Sequence, residues 1–235
     1  MKSLHKIFDI LEYVVLQSGK RVTPTEAAEA VGVNIATCTR IMGELVKRGY
    51  LEQISRKDGY VAGPMIVSVA TRDSMFKQMA DAAAEPVFQL SLALTTQVNA
   101  AVMHGATRVM LTYHFRDYYM SVPWKQFLFK DHWKSAAGRL LLSTLDDREA
   151  KRICLKELGL EKYPKEEIDR MRQEGFVRFE DDGKHILGCL VRCPGFPAMA
   201  FGLSVPQELA DKAFELSLQT AGKISNNLSG NGTAY

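Results

Sequence analysis

The sequence predicts an α+β protein made of two unlike parts, and three observations carry that prediction. The first 62 residues hold helical periodicities and one short hairpin but no long strand run, whereas residues from about 99 onward alternate strand-like runs with helical ones. Between them, Gly63-Pro64 opens a stretch to about residue 80 that reads as a linker helix. With 235 residues, 46% hydrophobic and 24% charged side chains, the composition is that of an ordinary globular protein, and the length suits one large domain or two small ones. The division expected is 1–62, a linker over 63–80, a second domain over 81–228 and a frayed tail over 229–235.

Each element has a local cause. Leu4, Ile7, Phe8, Leu11 and Val15 recur at steps of three and four, one face of a first helix. Thr23-Pro24-Thr25-Glu26 has the form of a capping box with proline at the first helical position, so a second helix should run to Val31 before Gly32. Asn34 is a favoured N-cap for a third helix over Ile35 to Arg48, ended by Gly49. Tyr50 to Ile54 and Gly59 to Val61 flank the charged loop Ser55-Arg56-Lys57-Asp58, which predicts a hairpin with a basic tip.

Met65, Ile66, Val69, Met75, Phe76 and Met79 give the linker its helical pattern, and a further helix is expected from Asp81 to Thr95, with Pro86 inside it. Strands follow at Asn99 to His104, Arg108 to Phe115 and Tyr118 to Val122, then helices at Ser135 to Thr144, Asp147 to Leu158 and Lys165 to Glu174. Three more strands, Phe176 to Glu180, His185 to Val191 and Met199 to Val205, precede a last helix from Gln207 to Asn226.

Helix, short glycine turn, helix and basic hairpin is the winged helix-turn-helix plan, whose second motif helix enters the major groove of DNA. The chain's net charge is only +3, yet residues 34–57 contain Arg40, Lys47, Arg48, Arg56 and Lys57 against Glu44 and Glu52, so the whole excess lies in this segment. The first turns of the third helix offer Asn34, Ala36, Thr37, Thr39 and Arg40 to base edges or phosphates, while Lys47, Arg48, Arg56 and Lys57 suit the phosphate backbone. The same elements also suit a small structural domain with a solvated charged face, or an adaptor that binds another protein. A salt-dependent affinity for DNA separates these readings.

Several classes are excluded or demoted. No apolar run approaches the ~18 residues a membrane span needs, and Asp9 and Glu12 interrupt the N-terminal stretch where a signal peptide would be apolar. A cytoplasmic protein is therefore expected, with no membrane partner. Cys38, Cys154, Cys189 and Cys193 are too sparse for a disulfide scaffold. His185, Cys189 and Cys193 step by four, but an extended strand separates its ends by about 26 Å at ~3.3 Å per residue, so no metal site is expected. No nucleophile elbow, phosphate loop or dinucleotide fingerprint occurs, so neither a cofactor nor catalysis is expected. The enzyme alternative is a small-metabolite catalyst with an accessory helical domain.

Val33 to Met42, followed by Leu45-Val46-Lys47-Arg48-Gly49-Tyr50-Leu51, resembles the recognition helix and wing entry of the IclR family of bacterial transcriptional regulators. Gly59-Tyr60 and Gly63-Pro64 are similar to that family's wing end and linker start. The likeness extends over Ala136 to Leu142, Ile168 to Phe176 and Leu203-Ser204-Val205-Pro206, and so over nearly the whole chain. It implies a GAF-like C-terminal domain that binds a small organic acid or aromatic effector, in a homodimer or dimer of dimers acting on a double-stranded DNA operator, with repression the expected sense. It also implies pocket residues: Ala136 and Ala137, Glu180 or Asp181, Cys189, Gly202 and Ser204. A free helix N-terminus lined by small residues suits a carboxylate, and a serine hydroxyl and a thiol complement it. Where the family usually has lysine after the glycine, this chain has Arg139. The rings of Tyr113, Phe115, Tyr118, Tyr119, Trp124, Phe127, Phe129 and Trp133 suit either a pocket wall or core and dimer packing.

Overall fold

A computed structural model describes residues 2–17, 19–55, 57–114, 128–129 and 132–231. Among these the chain divides into two units between Asp73 and Ser74.

In the first unit, α1 (Lys2–Val15), α2 (Pro24–Val31) and α3 (Ile35–Lys47) precede the antiparallel hairpin β1 (Leu51–Ser55) and β2 (Gly59–Ala62). The capping box at Thr23 is formed: its hydroxyl accepts from the Glu26 amide at 3.3 Å, and the Glu26 carboxylate accepts from the Thr23 amide at 2.7 Å. The bond from the Thr23 amide first, and then one from the Thr23 hydroxyl to the same carboxylate at 2.8 Å, hold the Glu26 carboxyl below its ordinary range. Asn34 caps α3 by accepting from the Ala36 amide at 2.8 Å. Ile10, Val14, Ala27, Cys38, Met42, Leu45, Leu51 and Tyr60 form the buried core. Val22 bonds Tyr60 in both directions, at 2.8 and 2.9 Å, and so bridges a third segment of chain to the outer edge of β2. That approach requires Gly59: its φ is +87°, and a Cβ there would lie 2.5 Å from the Val22 carbonyl oxygen.

The expected single helix over 63–80 is instead α4 (Pro64–Ala70), then a break, then α5 (Met75–Leu94). The Ser74 hydroxyl accepts from the Lys77 amide at 3.2 Å and so starts a new helix, which takes Met75, Phe76 and Met79 with it and runs through Pro86.

The second unit is a six-stranded sheet in the order β5-β4-β3-β8-β7-β6, antiparallel at every pairing. Its strands are β3 (Val98–His104), β4 (Thr107–His114), β5 (Leu128–Phe129), β6 (Phe176–Asp181), β7 (Lys184–Val191) and β8 (Met199–Val205). The strand expected over 118–122 lies outside the described residues. Helices α6 (Ala136–Ser143), α7 (Asp147–Arg152), α8 (Lys165–Glu174) and α9 (Ala210–Asn231) complete the unit. The last helix outruns its expected end at 226 and takes residues 229–231 with it; the rest of the tail lies outside the described residues.

Strand alternation sorts the side chains into two cores. Leu187, Cys189, Val191, Phe201 and Leu203 face α5 and α9, whereas Ala101, Leu190 and Ala200 join α6 and α8 in the other core. The N-terminal end of α6 lies close on the sheet because Gly188 and Gly202 are paired neighbours on β7 and β8. A Cβ on Gly188 would stand 2.7 Å from the Ala136 Cβ, and one on Gly202 would stand 3.2 Å from the Ala137 amide nitrogen.

Candidate nucleic-acid interface and ligand pocket

Cys38, Met42 and Leu45 turn α3 into the core of the first unit, and the helical period therefore sends Ala36, Arg40 and Lys47 outward. Asn34, Ala36, Thr39, Arg40, Lys47, Arg48 and Lys57 are exposed, Thr37 is half-buried, and Arg56 lies outside the described residues. Two of the polar candidates are partly committed. Asn34 spends its Oδ1 on the cap, and the Thr39 hydroxyl donates to the Ile35 carbonyl at 2.9 Å.

Glu44 sits among the cations of α3, bonded by Lys47 Nζ at 2.6 Å. That bond first, and then Arg48 and Arg40, hold its carboxyl below the ordinary range. At the hairpin tip the Ser55 hydroxyl donates to Asp58 at 2.7 Å and accepts from the amides of Lys57 and Asp58, while Arg21 pairs with Asp58 at 3.1 Å. Lys57 thus joins that network through its backbone amide and is itself exposed. Sequence reasoning passed over Ile35, which is 51% exposed on the first turn of α3. The signal for it was present, since Ile35 directly follows the cap residue.

In the second unit a cavity of about 340 Å³ opens at the N-terminus of α6. Beneath it lie Gln97 just before β3 and Asn99 within it, Gly202 and Ser204 from β8, and Lys184 and Ile186 from β7; Lys134 and Ser135 close it beside Ala136 and Ala137. Register explains the set, because Ile186 lies opposite Ser204 and Gly188 opposite Gly202, which opposes Asn99 on its other side.

Ser135 caps α6 by accepting from the Gly138 amide at 3.1 Å, and the buried Arg108 guanidinium also bonds its hydroxyl. Helix geometry leaves the amides of Ala136 and Ala137 without intrahelical carbonyls. The buried Ser204 hydroxyl has no hydrogen-bond partner. Amide hydrogens, a hydroxyl, two lysines and a buried guanidinium behind the cap together make a site suited to an anion.

Four of the expected pocket residues meet here: Ala136, Ala137, Gly202 and Ser204. Three do not. Cys189 is on the opposite face of β7, in the core against α5 and α9, where burial pushes its thiol up to about 12. Glu180 lies opposite His185 and pairs with it at 3.2 Å, on that same far face. Asp181 is exposed at the hairpin end opposite Lys184 and does not line the cavity. For Cys189 and Glu180 the cause is that adjacent strand residues face opposite ways, and the register against β8 selects even-numbered positions of β7; Asp181 shares the face of Lys184 but stands one strand further out, on β6.

Arg139 is also elsewhere, donating to the Trp133 carbonyl at 2.7 Å and to Glu167 at 3.0 Å, with its guanidinium 3.7 Å from the centre of the Phe179 ring. Of the aromatic group only the Trp133 side chain is described, and it packs against Arg139 rather than lining the cavity. The others lie outside the described residues or, for Tyr113 and Phe129, outside the described side chains. Missed pocket residues are Thr96, Gln97, Asn99, Lys134, Ser135, Lys184, Ile186 and Leu203; Ser135 was legible as the cap of α6. No helix of the described residues is long and apolar enough to cross a membrane.

Residues 6–52 match a family model described as a winged helix-turn-helix DNA-binding domain. No curated protein matches the chain. Among solved structures, an IclR homologue from Microbacterium hydrocarbonoxydans, complexed with 4-hydroxybenzoate, is similar with a TM-score of 0.74 at 16% identity, covering 97% of this chain and 99% of that one. An IclR transcriptional regulator from Alicyclobacillus acidocaldarius gives 0.67 at 16% identity, and the Thermotoga maritima IclR gives 0.62 at 18%; each likeness covers 97% of this chain and 99% of the other. The chain therefore carries the IclR fold along its length, with a winged helix-turn-helix at its N-terminal end.

Proposed function

We propose that this chain of IclR fold is a transcriptional regulator: it binds double-stranded DNA operators through α3 and the hairpin, and a small anionic effector in the α6 cavity alters that binding. The observation that carries the reading is the outward face of α3, where Arg40 and Lys47 stand opposite the core side of the helix, within a segment matching a DNA-binding winged helix. Two copies, as a homodimer or a dimer of dimers, would set two α3 helices in successive major grooves of a near-palindromic site in the cytoplasm. Repression is the sense we favour.

The cavity supports an organic acid as effector, because its donors converge at a helix N-terminus; 4-hydroxybenzoate, bound by the Microbacterium relative, is a natural first probe. Domain linkage would act through α4, which lies between the wing and the Asp73-Ser74 boundary.

Fluorescence anisotropy with duplexes selected from genomic fragments tests the DNA reading. If Arg40, Lys47, Arg48 and Lys57 of two protomers meet DNA, the slope of log K against log salt should be roughly −7. Arg40→Ala should weaken binding about tenfold or more. Binding without salt dependence and indifferent to Arg40 overturns the reading.

A further inference from the structure

The groups that α3 leaves free on its first turns are largely apolar. Ile35 is 51% exposed and stands outside the core of its unit; Ala36 beside it and Thr39 one turn on are exposed as well. Residues one turn apart on a helix are surface neighbours, so Ile35 and Thr39 share a stripe, with Ala36 and Arg40 following them round the helix. Thr39 gives its hydroxyl proton to the Ile35 carbonyl, so it can bring a partner its methyl and an acceptor oxygen but no donor, and Asn34, its Oδ1 spent on the cap, keeps only its amide N–H groups. A β-branched residue at the start of a helix gains little from helix propensity, and Ile35 gains nothing from the core. Its contact is left to whatever the helix meets.

We propose that Ile35, Ala36 and Thr39 read the C5 methyl groups of thymines in the major groove, beside a base or phosphate held by Arg40. Thymine alone among the four bases offers a methyl there, and apolar side chains are its complement. Arg40 beside the stripe, with Lys47, Arg48 and Lys57 exposed elsewhere on the same unit, favours DNA over an apolar protein partner. The inference rests on the DNA-binding reading and deepens it from phosphate attraction to sequence choice.

The full chain is used to enrich duplexes from a random-sequence pool. Deoxyuridine then replaces thymidine one position at a time in the enriched site, removing a single methyl group. At one or two thymines in each half-site the wild type should bind about fourfold more weakly by anisotropy, the equivalent of one buried methyl. Ile35→Ala and Thr39→Ser should each bind the thymine and uracil duplexes alike at the position they contact. The serine keeps the bond to the Ile35 carbonyl, both sites are on the surface, and melting by circular dichroism checks the fold. An enriched site indifferent to every uracil, or a loss equal in wild type and both variants, overturns the proposal. Enrichment of no sequence overturns the DNA-binding reading itself, a result distinct from an enriched site blind to methyls.

Discussion

An added methyl group at Gly188 would meet the Ala136 Cβ at 2.7 Å and the Phe201 carbonyl oxygen at 2.9 Å, so this glycine sets how closely α6 approaches the sheet. Both obstacles are fixed, one on a buried helix and one in the strand ladder, and neither can swing aside as a long side chain would. Gly188→Ala should therefore cost about 1–3 kcal/mol, the usual range for overpacking, read from urea denaturation of the full chain. An unchanged midpoint would mean that α6 is free to lift. Cys189, the next residue, faces the other core, and its raised thiol is chemically inert at neutral pH. A neighbour in sequence is thus no neighbour in function on a strand. The Ser204 hydroxyl and the Gly202 gap were legible as single residues, but which face Cys189 takes depends on the pairing of β7 with β8, which no single residue specifies.

At the scale of elements, helix starts were the most legible feature, because a cap is a bond between near neighbours in sequence. Thr23 with Glu26, Asn34 with Ala36 and Ser135 with Gly138 each form within three residues. The break between α4 and α5 was missed because apolar residues recur on both sides of it; Ser74 was the readable signal. Pocket walls were the least legible, since Asn99, Ser204 and Lys184 meet only after three strands have found their register. Charge convergence at α6 gives a test. Small carboxylates such as 4-hydroxybenzoate should raise the melting temperature of the wild type. Lys184→Met combined with Ser204→Ala should weaken that binding about tenfold, the scale of one charge-assisted hydrogen bond. An equal shift in both proteins would remove the cavity as the effector site.

At the scale of the molecule, the exposed apolar surface of the first unit calls for a partner. Helix α4 reads Pro-Met-Ile-Val-Ser-Val-Ala and buries none of its residues; Val67 is 63% and Val69 56% exposed, while Leu4 and Phe8 are exposed on α1. Monomers rarely leave such apolar surface to water. A second copy is the occupant we propose, because a winged reader gains most of its affinity by engaging two half-sites through one rigid pair. Val67→Asp with Val69→Asp alters two exposed side chains and puts a charge on each side of α4, so that whichever side meets its twin is charged. Sedimentation equilibrium should find the wild type dimeric or tetrameric at micromolar concentration and the double variant monomeric, with operator affinity lower by about 100-fold or more as the second half-site is lost. If the variant keeps the assembly state of the wild type, α4 is not the seam. If the wild type is itself monomeric, operator recognition must proceed through one α3 helix and one wing, and its salt slope should fall to about half the value expected for two.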